Sequence, residues 1–200
     1  MPLDAATRRW AYEELPEFPE DDGYRYEYIA GELVVTRFSS PWHSKVLVRL
    51  AALLHHFAEG HRVGLVYIGP IDILFAIGDF IAPDLVFIRK ERLGIVGERS
   101  IEAPPDLVVE VVHEVTELRD RGIKRERYAM YGVPEYWIVD PWKRRIDVHD
   151  FQAGKTRVLT TGVLEWRPVP EGPSLTIELD DLFKDPDHFG IPGASGATSA

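Results

Sequence analysis

Residues 107–114 read LVVEVVHE. Five of the first six are aliphatic and four of those are Val, the make-up of a buried β-strand. Glu110 interrupts them, and strand alternation puts it on the same face as Val108 and Val112. A carboxylate set among buried valines must be neutral, paired or bound to a cation, because an isolated buried charge is too costly to keep. The fold around this strand has to supply that company.

Outward from it, the pattern gives a mixed sheet with few helices, of α/β or α+β type. A helix is expected from about residue 116 to 131, with Thr116 a candidate N-cap, Gly132 at the C-terminal stop and Pro134 unable to continue it. EYWIVD (135–140) is a strand, and RIDVHDF (145–151) with TRVLTT (156–161) forms a hairpin around Ala153-Gly154. On the N-terminal side, YRYEYIAGELVVT turns at Ala30-Gly31 as a second hairpin. SSPWHSKVLVRLAALLHHFAEG follows as a helix, with Ser40 as N-cap, Pro41 in the first position and Gly60 closing it. VGLVYI (63–68), IDILFA (71–76) and FIAPDLVFI (80–88) are strands, the last two parted by a turn at Ile77-Gly78-Asp79. The charged, Gly- and Pro-containing stretch 89–105 reads as a loop that could be mobile or disordered. The domain scheme is an acidic lead-in over 1–22, one domain over 23–185 and a small, polar, disordered tail over 186–200.

Two hundred residues, 45% hydrophobic and 11% aromatic, can build one full-sized core. No apolar run approaches a membrane span, and MPLDAATRRW has no apolar h-region, so neither a membrane partner nor a signal peptide is expected. The lack of cysteine removes disulfides and thiolate metal sites and suits a cytoplasmic protein. A net charge of −10 argues at first against nucleic acid. Its distribution weakens that objection: residues 1–22 and 168–200 each contribute −5, and the body between them is neutral. Bases gather there in RDRGIKRER (119–127) and WKRR (142–145).

A second misplaced acid, Asp84, interrupts IAPDLVFI, where Pro83 suggests an edge or a bend. Two acids in neighbouring apolar strands share one good explanation, a hard divalent cation that takes oxygen ligands and cancels their repulsion. The bland alternative for either acid is a strand-end residue that caps a turn or pairs with an arginine. Lys124, Tyr128 and Tyr131 fall on one face of the helix after Glu110, and Glu117, Asp120 and Arg121 extend that face backward. It changes from polar to aromatic, as expected of a helix that lines a cleft and then packs on a core. On helix geometry alone, KRER reads more simply as a solvated basic face.

Pro83-Asp84, then Glu110 in an apolar strand, then a helix carrying a lysine resembles the PD-(D/E)xK nuclease superfamily. The wider series narrows the likeness. YEYIAGELV, His43 opening a helix, IAPDLVFI, DLVVEVV, IKRERYAMYGVPEYWIVDP and IDVHDF together resemble the Uma-type restriction endonuclease family over about residues 24–151. That resemblance implies a restriction-endonuclease-like core and hydrolysis of phosphodiester bonds, in DNA by preference. Its metal site would hold Mg²⁺ or Mn²⁺ on Asp84, Glu110 and the carbonyl of Val111, with Lys124 assisting. Two departures stand out: Val112 occupies the position of the usual superfamily lysine, whose role passes to Lys124, and His113 stands where the family commonly has serine. Accessory roles fall to Glu32, His43 and His113, and nucleic-acid contacts to Arg121 and Arg125. Restriction-like enzymes often act as dimers, so a homodimer is left open.

The remaining candidates carry less. His43 shares a helix face with Leu47, Leu50 and Leu54 and points inward, as a hydrogen-bonded core histidine would. Glu27 and Glu32, flanking the first hairpin turn, read as surface or hairpin-pairing residues. His55, His56 and His61 point in different directions and form no zinc motif. Asp140 reads as a turn residue, and Trp42, Trp137 and Trp142 as packing residues, although Trp142 beside Lys143-Arg144-Arg145 could stack on a base. No phosphate-binding glycine loop or G-x-S-x-G nucleophile turn is present. Two rival functions remain: a non-catalytic nucleic-acid- or protein-binding module on a nuclease fold, and a hydrolase of small phosphate esters.

Overall fold

The computed structural model describes residues 23–37, 40–76, 79–113 and 115–184, so the expected acidic lead-in, the tail and the turn at Ile77-Gly78 lie outside the described residues. A five-stranded sheet contains β1 (Tyr24–Ile29), β2 (Glu32–Arg37), β4 (Asp72–Ala76), β5 (Asp79–Ile81) and β7 (Ser100–Ile101), in the order β2-β1-β5-β4-β7. A six-stranded sheet contains β3 (Gly64–Ile68), β6 (Leu85–Arg89), β8 (Leu107–Val111), β9 (Glu135–Asp140), β10 (Arg145–Asp150) and β11 (Lys155–Leu159). Its order is β11-β10-β9-β8-β6-β3. A ribbon of β12 (Val163–Trp166) and β13 (Leu175–Glu178) precedes a short helix, Leu179–Leu182. Both larger sheets are mixed: β8 runs parallel to β9 and β4 to β7, among antiparallel neighbours. Parallel neighbours need a crossover, and between β8 and β9 the helical segment after residue 116 supplies it.

Helix α1 (Pro41–Gly60) begins as its sequence dictates: Ser40 Oγ accepts from the His43 amide at 3.2 Å, with Pro41 at the first turn. Its apolar stripe, including Leu50, Leu54 and Phe57, packs against one face of the six-stranded sheet, where Val109, Val111 and Trp137 point. The opposite face presents Val108, Val112 and Ile138 to Ile29, Ile73 and Ile81 of the five-stranded sheet. The six-stranded sheet is therefore a middle layer with an apolar interior on each side. Each fully buried Val or Leu in these interiors contributes about 1.5–3 kcal/mol relative to exposure.

The structure differs from the sequence expectation at three places. The run at 80–88 is two strands in two different sheets, because the chain leaves β5, crosses through Ala82-Pro83-Asp84 and enters β6. Proline has no ladder donor to give at the crossing. Gly69 holds it from outside: its amide donates to the Asp84 carbonyl at 2.8 Å, and a Cβ at Gly69 would lie 2.0 Å from the Pro83 carbonyl oxygen. Next, the stretch 89–105 has fixed structure, with a 3₁₀ helix at Lys90–Ile95 and strand β7. The buried Asp106 pins it by pairing with Arg89 Nε at 2.6 Å and Arg92 Nη1 at 2.9 Å. Finally, the helix expected over 116–131 is α2 (Glu117–Arg119), a π-helical turn (Asp120–Lys124) and α3 (Arg125–Met130). Thr116 makes no side-chain capping bond, and its hydroxyl lies against the His113 backbone instead. The wide turn carries Asp120 and Lys124 inward, and both are buried.

Candidate active site

Asp84 sits where the chain passes from one sheet to the other, 3% exposed. Three donors from three elements hold its carboxylate. Arg25 Nη2 of β1 donates to Oδ1 at 2.9 Å, the Val111 amide of β8 donates to Oδ2 at 2.8 Å, and His43 Nε2 of α1 lies 3.1 Å from Oδ2. Burial raises the Asp84 pKa, but the His43 hydrogen bond and the Arg25 charge outweigh it and hold the carboxyl well below the usual range. An ionised carboxylate only accepts, so His43 Nε2 carries the hydrogen, and Nδ1 is left buried without a partner.

Glu110 points from the other side of the same junction. Lys124 Nζ donates to Glu110 Oε1 at 2.8 Å, and the Tyr128 hydroxyl donates to the same oxygen at 2.9 Å. Lys124 also reaches Glu27 Oε1 at 2.8 Å and lies 3.7 Å from Asp120 Oδ1. Glu27 is fully buried and accepts from the Ala82 amide at 3.1 Å, so it ties β1 to the crossing that presents Asp84. Burial opposes the Lys124 charge, but Glu110, Glu27 and Asp120 prevail, and its pKa is raised. Burial pushes Glu110 up to about 8 even though the Lys124 ammonium pulls the other way. Asp120 is raised for the same reason.

Carboxylates outnumber cations here by one when all are ionised, and burial raises Glu110 and Asp120 against that surplus. Glu27, Asp84, Glu110 and Asp120 are all buried, while Arg25 and Lys124 are committed and Arg119 Nε stands 3.9 Å from Asp120. Glu27 Oε2 and Asp120 Oδ1 are buried with no hydrogen-bond partner. Asp84, Glu110 and Asp120 line a cavity of about 20 Å³, room for roughly one water or ion. Hard oxygen donors, an excess of negative charge and that space fit a divalent cation. Among the described residues no three His, Asp or Glu side chains already converge as a cage.

Asp84, Glu110, Val111, Lys124, His43 and His113 all line this cavity. Glu32 does not: it is exposed at the hairpin end and pairs with Ile29 in the ladder. Arg121 and Arg125 also lie outside the lining. Arg121 Nε pairs with Glu117 at 2.8 Å and its Nη1 with Asp147, while Arg125 is exposed. Trp142 is exposed rather than packed.

Sequence reasoning missed Arg25, Arg119 and Thr36 in the lining; Glu27, expected as a surface or hairpin-pairing residue, does pair with Val34 in the hairpin but has no exposure. Arg25, Glu27 and Ile29 share a strand face, and Ile29 is core. An ion pair's worth of charge leading into a core residue was the available signal. Arg119 reaches across to β2, donating from Nη2 to Thr36 Oγ1 at 3.0 Å.

The model of the Uma2 family, described as "Putative restriction endonuclease", matches residues 11–180. No curated protein matches the chain. A solved structure from Anabaena variabilis, described as "a putative nuclease belonging to DUF820", is 17% identical, with a TM-score of 0.70 over 86% of this chain and 96% of that one. At that identity the likeness shows a shared fold, with mixed sheets flanked by few helices. With a family match over most of its length, the chain belongs to the Uma2 family of restriction-endonuclease-like proteins.

Proposed function

We propose that the protein is a metal-dependent endonuclease that hydrolyses phosphodiester bonds, with DNA as substrate and the cytoplasm as its setting. One observation carries this reading: the buried carboxylates Asp84, Glu110 and Asp120 line a cavity for roughly one ion, and with buried Glu27, which Lys124 also reaches, they outnumber the cations Arg25, Lys124 and Arg119 by one when all are ionised. Asp84, Glu110 and the Val111 carbonyl would hold Mg²⁺ or Mn²⁺, which when bound polarises the scissile phosphate and acidifies a water. Asp84 is already aimed by His43, Arg25 and the Val111 amide. Lys124 is kept protonated by its three acids and so acts as a fixed positive charge for the transition state, not as a base. The hydroxyl of Tyr128 also keeps its proton, held by burial and by Glu110, and fixes the Glu110 carboxylate. His113 lines the cavity half-buried, and burial lowers its pKa, with His43 acting in the same direction. A neutral imidazole there can accept a proton.

The test is calorimetric titration of Mn²⁺ into the wild type, Asp84→Asn and Glu110→Gln. Binding by the wild type alone, together with plasmid cleavage that disappears in Glu110→Gln and Lys124→Ala, is the expected result. Wild-type-like cleavage by either variant would overturn the assignment. A second reading, a nuclease fold kept for binding alone, is favoured by Asp84, whose oxygens already have protein partners without any metal. It requires that all three proteins behave alike toward Mn²⁺.

A further inference from the structure

We propose that Arg25 is exchanged between Asp84 and the substrate: it occupies Asp84 Oδ1 in the metal-free protein, yields that oxygen to the divalent cation, and then serves a phosphate oxygen of the nucleic acid. This rests on the nuclease reading above. The two oxygens of Asp84 are held very differently. Oδ2 is bound by a backbone amide inside β8 and by His43, buried in the first turn of α1. Neither can move without disturbing its element. Oδ1 is held by the end of a long side chain that is 18% exposed.

Arg25 does not grip Asp84 with the two-pronged bond that makes arginine–carboxylate pairs strong. Nη2 reaches Oδ1, but Nη1 donates at 3.0 Å to the Ala82 carbonyl, one residue beyond β5. Losing Asp84 therefore costs the guanidinium one of its two hydrogen bonds to the described residues, and the Ala82 bond keeps it at the cavity that it lines. A cation on Oδ1 and a guanidinium on the same oxygen repel one another, so the arrival of one loosens the other. With Nη1 still on Ala82, the Nη2 donor so freed and the neighbouring Nε present one edge of the guanidinium plane, which matches the geometry of a phosphate. Arg25 would thus keep Asp84 in place without metal and couple metal binding to substrate binding.

Titration of Mn²⁺ into the wild type, Arg25→Ala and Arg119→Ala separates exchange from simple charge removal, since both arginines line the cavity and only Arg25 touches Asp84. Removing a competing charge-assisted bond should tighten Mn²⁺ binding about tenfold in Arg25→Ala. Arg119→Ala should change it by less than about threefold. Arg25→Lys keeps the charge but cannot span Ala82 and Asp84 together, and an intermediate tightening is expected, which covers the case in which the alanine variant fails to fold. The second readout is anisotropy of a fluorescent DNA duplex in Ca²⁺ against chelator. Ca²⁺ should strengthen DNA binding in the wild type, and that gain should vanish in Arg25→Ala. Mn²⁺ affinity in Arg25→Ala and Arg25→Lys no tighter than wild type, or a Ca²⁺-dependent gain that survives in Arg25→Ala, overturns the exchange while leaving the metal site standing. A wild type that binds no Mn²⁺ overturns both the exchange and the nuclease reading.

Discussion

Strand β8 separates two interiors that bury their residues by different rules. On the α1 side, Val109 and Val111 meet Leu50, Leu54 and Trp137, whose indole N–H is satisfied by Glu135 Oε1 at 2.7 Å, and no charged side chain stands among these five. On the other side, Val108 and Val112 flank Glu110, and the packing has to find partners for Glu27, Asp84, Asp120 and Lys124 as well. The first interior is held by apolar area and shape. The second is held only while its charges match, so its stability depends on what else is bound and on pH.

Substitution should expose the difference. Lys124→Ala leaves Glu27, Glu110 and Asp120 without their shared cation. Breaking a buried pair from one side costs about 3–5 kcal/mol, so a urea titration of the metal-free variant should show a loss of that order. Part of it should return on adding Mn²⁺; a loss below about 1 kcal/mol would mean that the acids there are already neutral. Val109→Ala, one residue from Glu110 but on the dry face, should cost about 2 kcal/mol through its cavity. Mn²⁺ should leave that value unchanged, and a metal-dependent loss would show that the two interiors are not separate.

The two interiors should also part in their response to pH. The Glu110 pKa is raised from 4.5 in an unperturbed chain to about 8. Between those values the unfolded chain binds fewer protons than the folded one at this site, so stability should fall as pH rises through the window. Asp84 has the opposite sign, since its lowered pKa gives a stabilisation that is lost only in acid. Denaturant midpoints of wild type and Glu110→Gln at a series of pH values check this. The fall should be present in the metal-free wild type and absent in the variant, while the acid limb from Asp84 should persist in both.

Much of this division was legible before any coordinates, and the limits are physical. Alternation alone put Glu110 on the face of Val108 and Val112, and the ordered motifs pointed to the family. The β5–β6 break was hinted at by Pro83, but that one run of apolar residues enters two sheets is a matter of tertiary pairing, which a strand pattern does not carry. Glu27 was misplaced because a charged residue in a hairpin strand is usually solvated, and its burial depends on Lys124, 97 positions away. The stretch 89–105 looked loose for its charge, glycine and proline, and what fixes it is Asp106 just beyond its end.

The π-helical turn at Asp120–Lys124 has a consequence for chain length. Its geometry is that of a helix one residue too long. Deleting a single position there, Gly122 for instance, would allow an unbroken α-helix, the more regular structure by backbone hydrogen bonding. The same deletion would turn the preceding residues by about 100° relative to Lys124. Either Asp120 would leave the cluster and Arg119 lose Thr36, or Lys124 would swing away from Glu110. A chain shorter by one glycine would form the better helix and lose the joint at which the strand acids and the helix lysine meet.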